Sequence, residues 1–149
     1  ERVEYALGFF MCQREQISYT IPMKPSIFTK IISGEIPCYK IYEDERTFAF
    51  LNIRAQQPGH VLVVPKAQVD HLEDLEDEDY EALMKTVKKL MIHMRAELGS
   101  ERIGVRVEGF EIDHAHVHLI PLDGEIDLKS APYEVSEDEL RDMQERLAY

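Results

Sequence analysis

The sequence predicts an α+β domain: an antiparallel sheet of about five strands, one long helix, and short helices at the two ends. Three observations predict it. Short β-branched or aromatic runs at 41–42, 47–51, 60–64, 103–107 and 112–120 are mostly separated by tight turns, which suits antiparallel neighbours. Residues 78–98 repeat apolar side chains at three- and four-residue steps, the signature of a helix with one buried stripe. A length of 149 residues with 44% hydrophobic content suits one domain with its own core.

Each element has a local reason. Ser26 is placed to cap a short helix carrying Ile27, Phe28, Ile31 and Ile32, and Gly34 stands where a terminating glycine belongs. Ile41-Tyr42 and Thr47-Phe48-Ala49-Phe50-Leu51 flank the acidic turn Glu43-Asp44-Glu45. Pro58-Gly59 turns the chain into His60-Val61-Leu62-Val63-Val64, apolar on both faces and therefore expected at the sheet centre, with Pro65 as its stop. The long helix carries Tyr80, Leu83, Met84, Val87, Leu90, Met91, Met94 and Leu98 on one side. Acidic residues crowd its start and Gly99 follows its end, as the helix dipole and C-terminal geometry favour. Ile103-Gly104-Val105-Arg106-Val107 and residues 112–120 read as two further strands, the second closed by Pro121. Ser136 with Glu139 has capping-box spacing for a last helix bearing Leu140, Met143 and Leu147.

Residues 1–22 read as an N-terminal extension, upstream of or added to a domain spanning 23–149. Their one apolar patch, residues 5–11, is too short and too charged at its flanks for a secretory signal. The balance of 17 basic and 29 acidic residues gives −12, which disfavours nucleic-acid backbones but not a small phosphate ligand in a local pocket. Cys12 and Cys38 have no paired spacing and read as reduced thiols of a cytoplasmic protein. No stretch approaches the ~18 apolar residues of a membrane span.

Chemistry concentrates in Asp113-His114-Ala115-His116-Val117-His118-Leu119-Ile120-Pro121, which holds three of the six histidines at two-residue spacing. On a strand, positions i, i+2 and i+4 share a face, so the three imidazoles would line one surface. Three readings fit: ordinary strand residues, a zinc site completed from elsewhere, or a phosphate site. In the last, a neutral imidazole attacks phosphorus while its neighbours donate to the phosphate oxygens.

The run His114-Ala115-His116-Val117-His118-Leu119-Ile120 resembles the signature of the histidine triad (HIT) family. Residues 26–37, 48–53 and 58–66 resemble that family's opening helix, nucleoside-binding strand and central strand, in the same order. The resemblance implies a HIT-like fold, a homodimer whose sheets join, and a purine nucleotide or nucleotide conjugate as ligand. It implies hydrolysis or transfer at the α-phosphate through a nucleotidyl-histidine, with no cofactor. By position, His116 is the implied nucleophile, His118 the phosphate contact and His114 an orienting group. Asn52 is implied on the ribose, Ile27, Phe28, Ile31, Phe50 and Ile53 around the base, and His60 near the triad. Core packing accounts for the five apolar residues equally well, and a hydrogen-bonded strand histidine accounts for His60.

The sequence departs from the family pattern at two places. Gly109-Phe110-Glu111 stands where many members carry Gly-Gln-(Ser/Thr), whose donors meet the phosphate, and the family's strand asparagine has no counterpart near Val107. These changes leave a second reading open, a nucleotide-binding or scaffold protein with weak or no catalysis. Some bacterial relatives hold structural zinc with two cysteines, a histidine and the first triad histidine. Here His71 and His114 are present, but Ser26 and Thr29 replace the cysteines, so no metal site is expected and His71 reads as a surface residue.

Overall fold

A computed structural model describes residues 23–124 and 131–149; the expected extension over residues 1–22, with Cys12, lies outside the described residues. Strands β1 (Lys40–Glu43), β2 (Thr47–Leu51), β4 (Val61–Pro65), β5 (Arg102–Val107) and β6 (Val117–Leu122) form one antiparallel sheet in the order β1-β2-β4-β6-β5. Two residues each from β3 (Arg54–Ala55) and β7 (Tyr133–Glu134) pair in a small second sheet. Helices are α1 (Ile27–Ile32), α2 (Asp77–Leu98) and α3 (Glu137–Leu147), with a single 3-10 turn at Leu72–Asp74. The α+β class, the sheet and the single long helix are as the sequence predicts.

The sheet sorts its side chains by parity. One face carries Ala49, Leu51, Val61, Val63, Val117, Leu119 and Ile103, and α2 covers it with Leu83, Val87, Leu90 and Met94. Full burial of Leu83, Leu90 and Met94 contributes roughly 1.5–3 kcal/mol for each side chain. The other face carries Phe48, Phe50, Leu62 and Val64, covered by Phe28 of the short α1. This thinly covered face receives the histidines. Both β2 and β4 are buried along their whole length, which is why β4 reads as apolar on both sides.

Local signals are realised at the ends of the helices. The Ser26 hydroxyl accepts from the Thr29 N–H, and Gly99 ends α2 at φ 70°. Ser136 and Glu139 form the full capping box. Arg46 ties the β1–β2 turn to the start of α2 through Glu78 at 2.8 Å and Asp79 at 2.7 Å. At the other end of the chain, the Tyr149 N–H donates to the Ile41 carbonyl at 3.0 Å, and the Lys89 ammonium sits 4.3 Å from the ring centres of both Tyr42 and Tyr149.

Two expectations are corrected. The strand expected over 112–120 begins only at Val117, because the preceding segment bonds elsewhere: the Ala115 N–H donates to the Val69 carbonyl at 2.7 Å, beyond the end of β4. Pro121 does not close the strand, which runs on to Leu122. Pairing with β4 ends at Leu119, so the missing N–H of Pro121 interrupts no ladder, while β5 continues alongside.

Candidate functional site

Only His118 of the three spaced histidines lies within a strand; His114 and His116 sit on the irregular approach to β6. They still converge. The His116 and His118 rings are 5.0 Å apart, and Phe28 meets His114 and His116 edge to face at 5.7 and 5.2 Å. Burial separates their roles: His114 is 0% exposed, whereas His116 and His118 keep 6% and 8%.

Hydrogen-bond partners dictate which nitrogen of each ring carries the proton. His114 Nε2–H donates to the Pro65 carbonyl at 2.8 Å, so Nδ1 accepts from the Ser26 hydroxyl at 2.7 Å. Both nitrogens are committed, and the ring acts as a brace. His116 Nδ1–H donates to the His114 carbonyl at 2.7 Å, which leaves the Nε2 lone pair without a partner among the described residues. The Gln56 N–H donates to His60 Nδ1 at 3.2 Å, so His60 Nε2–H must donate to His118 Nδ1 at 2.9 Å. His118 therefore carries its remaining proton on Nε2.

Burial sets the charge state. Desolvation, with the nearby Arg106 charge, lowers His60 to about 4. Desolvation, then His60, His116 and Arg106, lowers His118 to about 3. Desolvation also lowers His114, against the opposing effect of its bond to Pro65. At neutral pH these three rings are uncharged.

The other residues singled out in the sequence divide by exposure. Phe28 and Phe50 are 4% exposed and pack on each other. Ile31 is half-buried against the same cluster. Ile27 and Ile53 are 48% and 59% exposed, which packing within the chain does not explain. Asn52 is half-buried, and its Oδ1 accepts the Arg54 N–H at 3.0 Å. Phe110 is 99% exposed and Glu111 is exposed, on the loop between β5 and the triad. A cleft of about 190 Å³ runs between Asn52, His60, Tyr133 and α3, and no triad histidine lines it.

The residues around His114 do not fit zinc. Ser26, Thr29 and Gln68 are linked by hydrogen bonds: Thr29 Oγ1 donates to Gln68 Oε1 at 2.6 Å, and the Ser26 N–H donates to the same oxygen at 2.9 Å. Two hydroxyls, an amide and an imidazole with both nitrogens engaged make a poor donor set for that ion. His71 is exposed beside Asp70, and Gln68 is the residue from this loop that joins the cluster. The sequence reading passed over Gln68, for which spacing from Pro65 was the available signal. It also passed over Arg106, which lies opposite His118 in the β5–β6 register.

Fold and site together define an α+β domain with a histidine-lined surface over one sheet face. The chain belongs to the HIT family: the family model for the HIT domain matches residues 33–125. A HIT-like protein of Methanocaldococcus jannaschii is 40% identical over 108 residues, 67% of this chain and 83% of that one. The adenosine 5'-monophosphoramidase of Schizosaccharomyces pombe is 32% identical over 130 residues, 82% of this chain and 95% of that one. The crystal structure of a HIT-like protein from Bartonella henselae superposes with a TM-score of 0.74 at 30% identity, covering 83% of this chain and 94% of that one.

Proposed function

We propose that this chain is a nucleotide phosphohydrolase or nucleotidyl transferase acting at the α-phosphate of a purine nucleotide conjugate, with His116 as nucleophile. The observation that carries the reading is the bond from His116 Nδ1–H to the His114 carbonyl at 2.7 Å, which fixes the ring with its Nε2 lone pair outward. Nε2 attacks phosphorus, the bond to the leaving group breaks, and water then cleaves the N–P bond to release the nucleotide and restore the imidazole. His118 Nε2–H donates to a phosphate oxygen, and His60 acts through His118 as a positioning residue. His114 braces the His116 ring. Ile27 and Ile53, exposed in the free protein, flank the base together with Phe28, Ile31 and Phe50. The Asn52 amide, its Oδ1 engaged by Arg54, offers its NH₂ to the ribose. The name of the fission-yeast relative supports a hydrolase that acts on nucleotide conjugates.

Steady-state turnover of adenosine phosphoramidate and of a dinucleoside polyphosphate tests this. His116→Ala is expected to lower kcat by at least ~10³-fold, as loss of a nucleophile does; activity that survives it overturns the assignment. The second reading, nucleotide binding with little catalysis, is favoured by Phe110 and Glu111, neither of which supplies the phosphate donors usual before the triad. Calorimetric binding of AMP or GMP without turnover would select it. We further propose a homodimer through the edge strand β5, where Val105 and Val107 are 46% and 43% exposed.

A further inference from the structure

The scheme above leaves one group beside the histidines unused. Arg106 lies opposite His118 in the β5–β6 register, and alternation puts it on the sheet face of Phe50, Leu62 and His118. Its side chain is only 22% exposed. Nη1 donates to Gln56 Oε1 at 2.8 Å, and the Gln56 N–H in turn meets His60, so the guanidinium is tied through Gln56 to the His60–His118 pair. Nε is buried and makes no hydrogen bond; its nearest acid, Glu108, is 3.4 Å away and half exposed. Nη2 has no hydrogen-bond partner among the described residues. Arg106 is also the only Lys or Arg among them whose charge registers at His60, His114 or His118. With Nε buried beside Glu108 and Nη1 on Gln56, the guanidinium keeps Nη2 as the donor an anion can take, next to rings that carry no charge.

Resting on the nucleotide reading above, we propose that Arg106 binds the phosphoryl group beyond the α-phosphate. The site then prefers conjugates whose leaving group is an anionic phosphate chain over those that release a neutral amine. As His116 Nε2 bonds to the α-phosphorus, the bond from phosphorus to the bridging oxygen breaks and its electron pair stays on that oxygen. The Nη2 N–H groups of Arg106 receive the developing charge. No proton is needed at that moment. An amine must instead gain a proton as it leaves, and a guanidinium beside His118 opposes the imidazolium that would supply one.

The test compares AMP with ADP by calorimetry, and phosphoramidate with diadenosine polyphosphate by turnover, on the wild type, Arg106→Gln and Arg106→Lys. The wild type is expected to bind ADP about 10- to 100-fold more tightly than AMP, the scale of charge-assisted hydrogen bonds. Arg106→Gln is expected to bring that ratio toward one and to shift turnover preference toward the phosphoramidate by a similar factor. Arg106→Lys, which keeps the charge but not the fork, falls between. Equal binding of AMP and ADP by the wild type, or a ratio unchanged in Arg106→Gln, overturns the proposal while leaving the nucleotide site intact. Failure of the wild type to bind either nucleotide overturns the underlying reading as well. Thermal unfolding of each variant identifies a change that merely loosens the Gln56 contact, and Arg106→Lys then decides the question.

Discussion

His60 and His118 show how a pair of neutral side chains makes a protein sensitive to acid. Burial lowers them from an ordinary value of 6.5 to about 4 and about 3. Between pH 6.5 and about 4 the unfolded chain therefore takes up protons that the folded chain refuses. Stability is full above 6.5 and falls as the pH drops through that window, by up to about 1.4 kcal/mol per pH unit for each histidine. The lowered carboxylates Glu43 and Asp44 add their own losses only below their ordinary 4.5 and 3.8. Thermal melts from pH 7.5 to 4.5 should show this slope, and the double variant His60→Gln/His118→Gln should reduce it to the share left by His114, which burial also lowers. An equal slope in the variant would place the acid sensitivity elsewhere.

Among the elements, the turn into β4 is a tight joint. Gly59 holds φ 80°, and a Cβ there would stand 3.0 Å from Leu98 Cδ1 and 3.4 Å from both Met143 Sδ and Pro121 Cγ. Gly59→Ala is expected to cost more than about 1 kcal/mol, combining left-handed strain with a crowded junction of α2, α3 and β6. That loss lowers the melting midpoint by several degrees; an unchanged midpoint would mean that the junction relaxes freely. The elements best legible in the sequence are those with a distinct apolar pattern, periodic in α2 and unbroken in β4. The segment before His118 was not, because its irregular path depends on a bond to Val69, contributed by a loop some forty-five residues earlier. The pair β3–β7 is too short to carry any period. At the site, two-residue spacing disclosed the histidines. The exposure of Ile27 and Ile53 depends on what the fold leaves uncovered, and no local pattern reports it. Arg106 was masked for a different reason: its place beside His118 is set by register between strands, which pairing alone reveals.

For the whole molecule, the open edge of β5 is the main unsatisfied feature. An edge strand with apolar residues facing out invites a second copy. Sedimentation equilibrium is expected to show a dimer, and Val105→Lys with Val107→Lys to shift it to monomer; a wild-type monomer at all concentrations would refute the pairing. With −12 on each chain, association should strengthen as added salt screens the repulsion between copies. No helix among the described residues is long and apolar enough to cross a membrane. The brace beneath the histidines has a further consequence for how the protein is made. The Ser26 hydroxyl and the Pro65 carbonyl hold His114, with Thr29 and Gln68 bonded to Ser26 behind it, all groups the ribosome itself supplies. Its alignment therefore forms together with the fold, from hydrogen bonds the chain makes to itself.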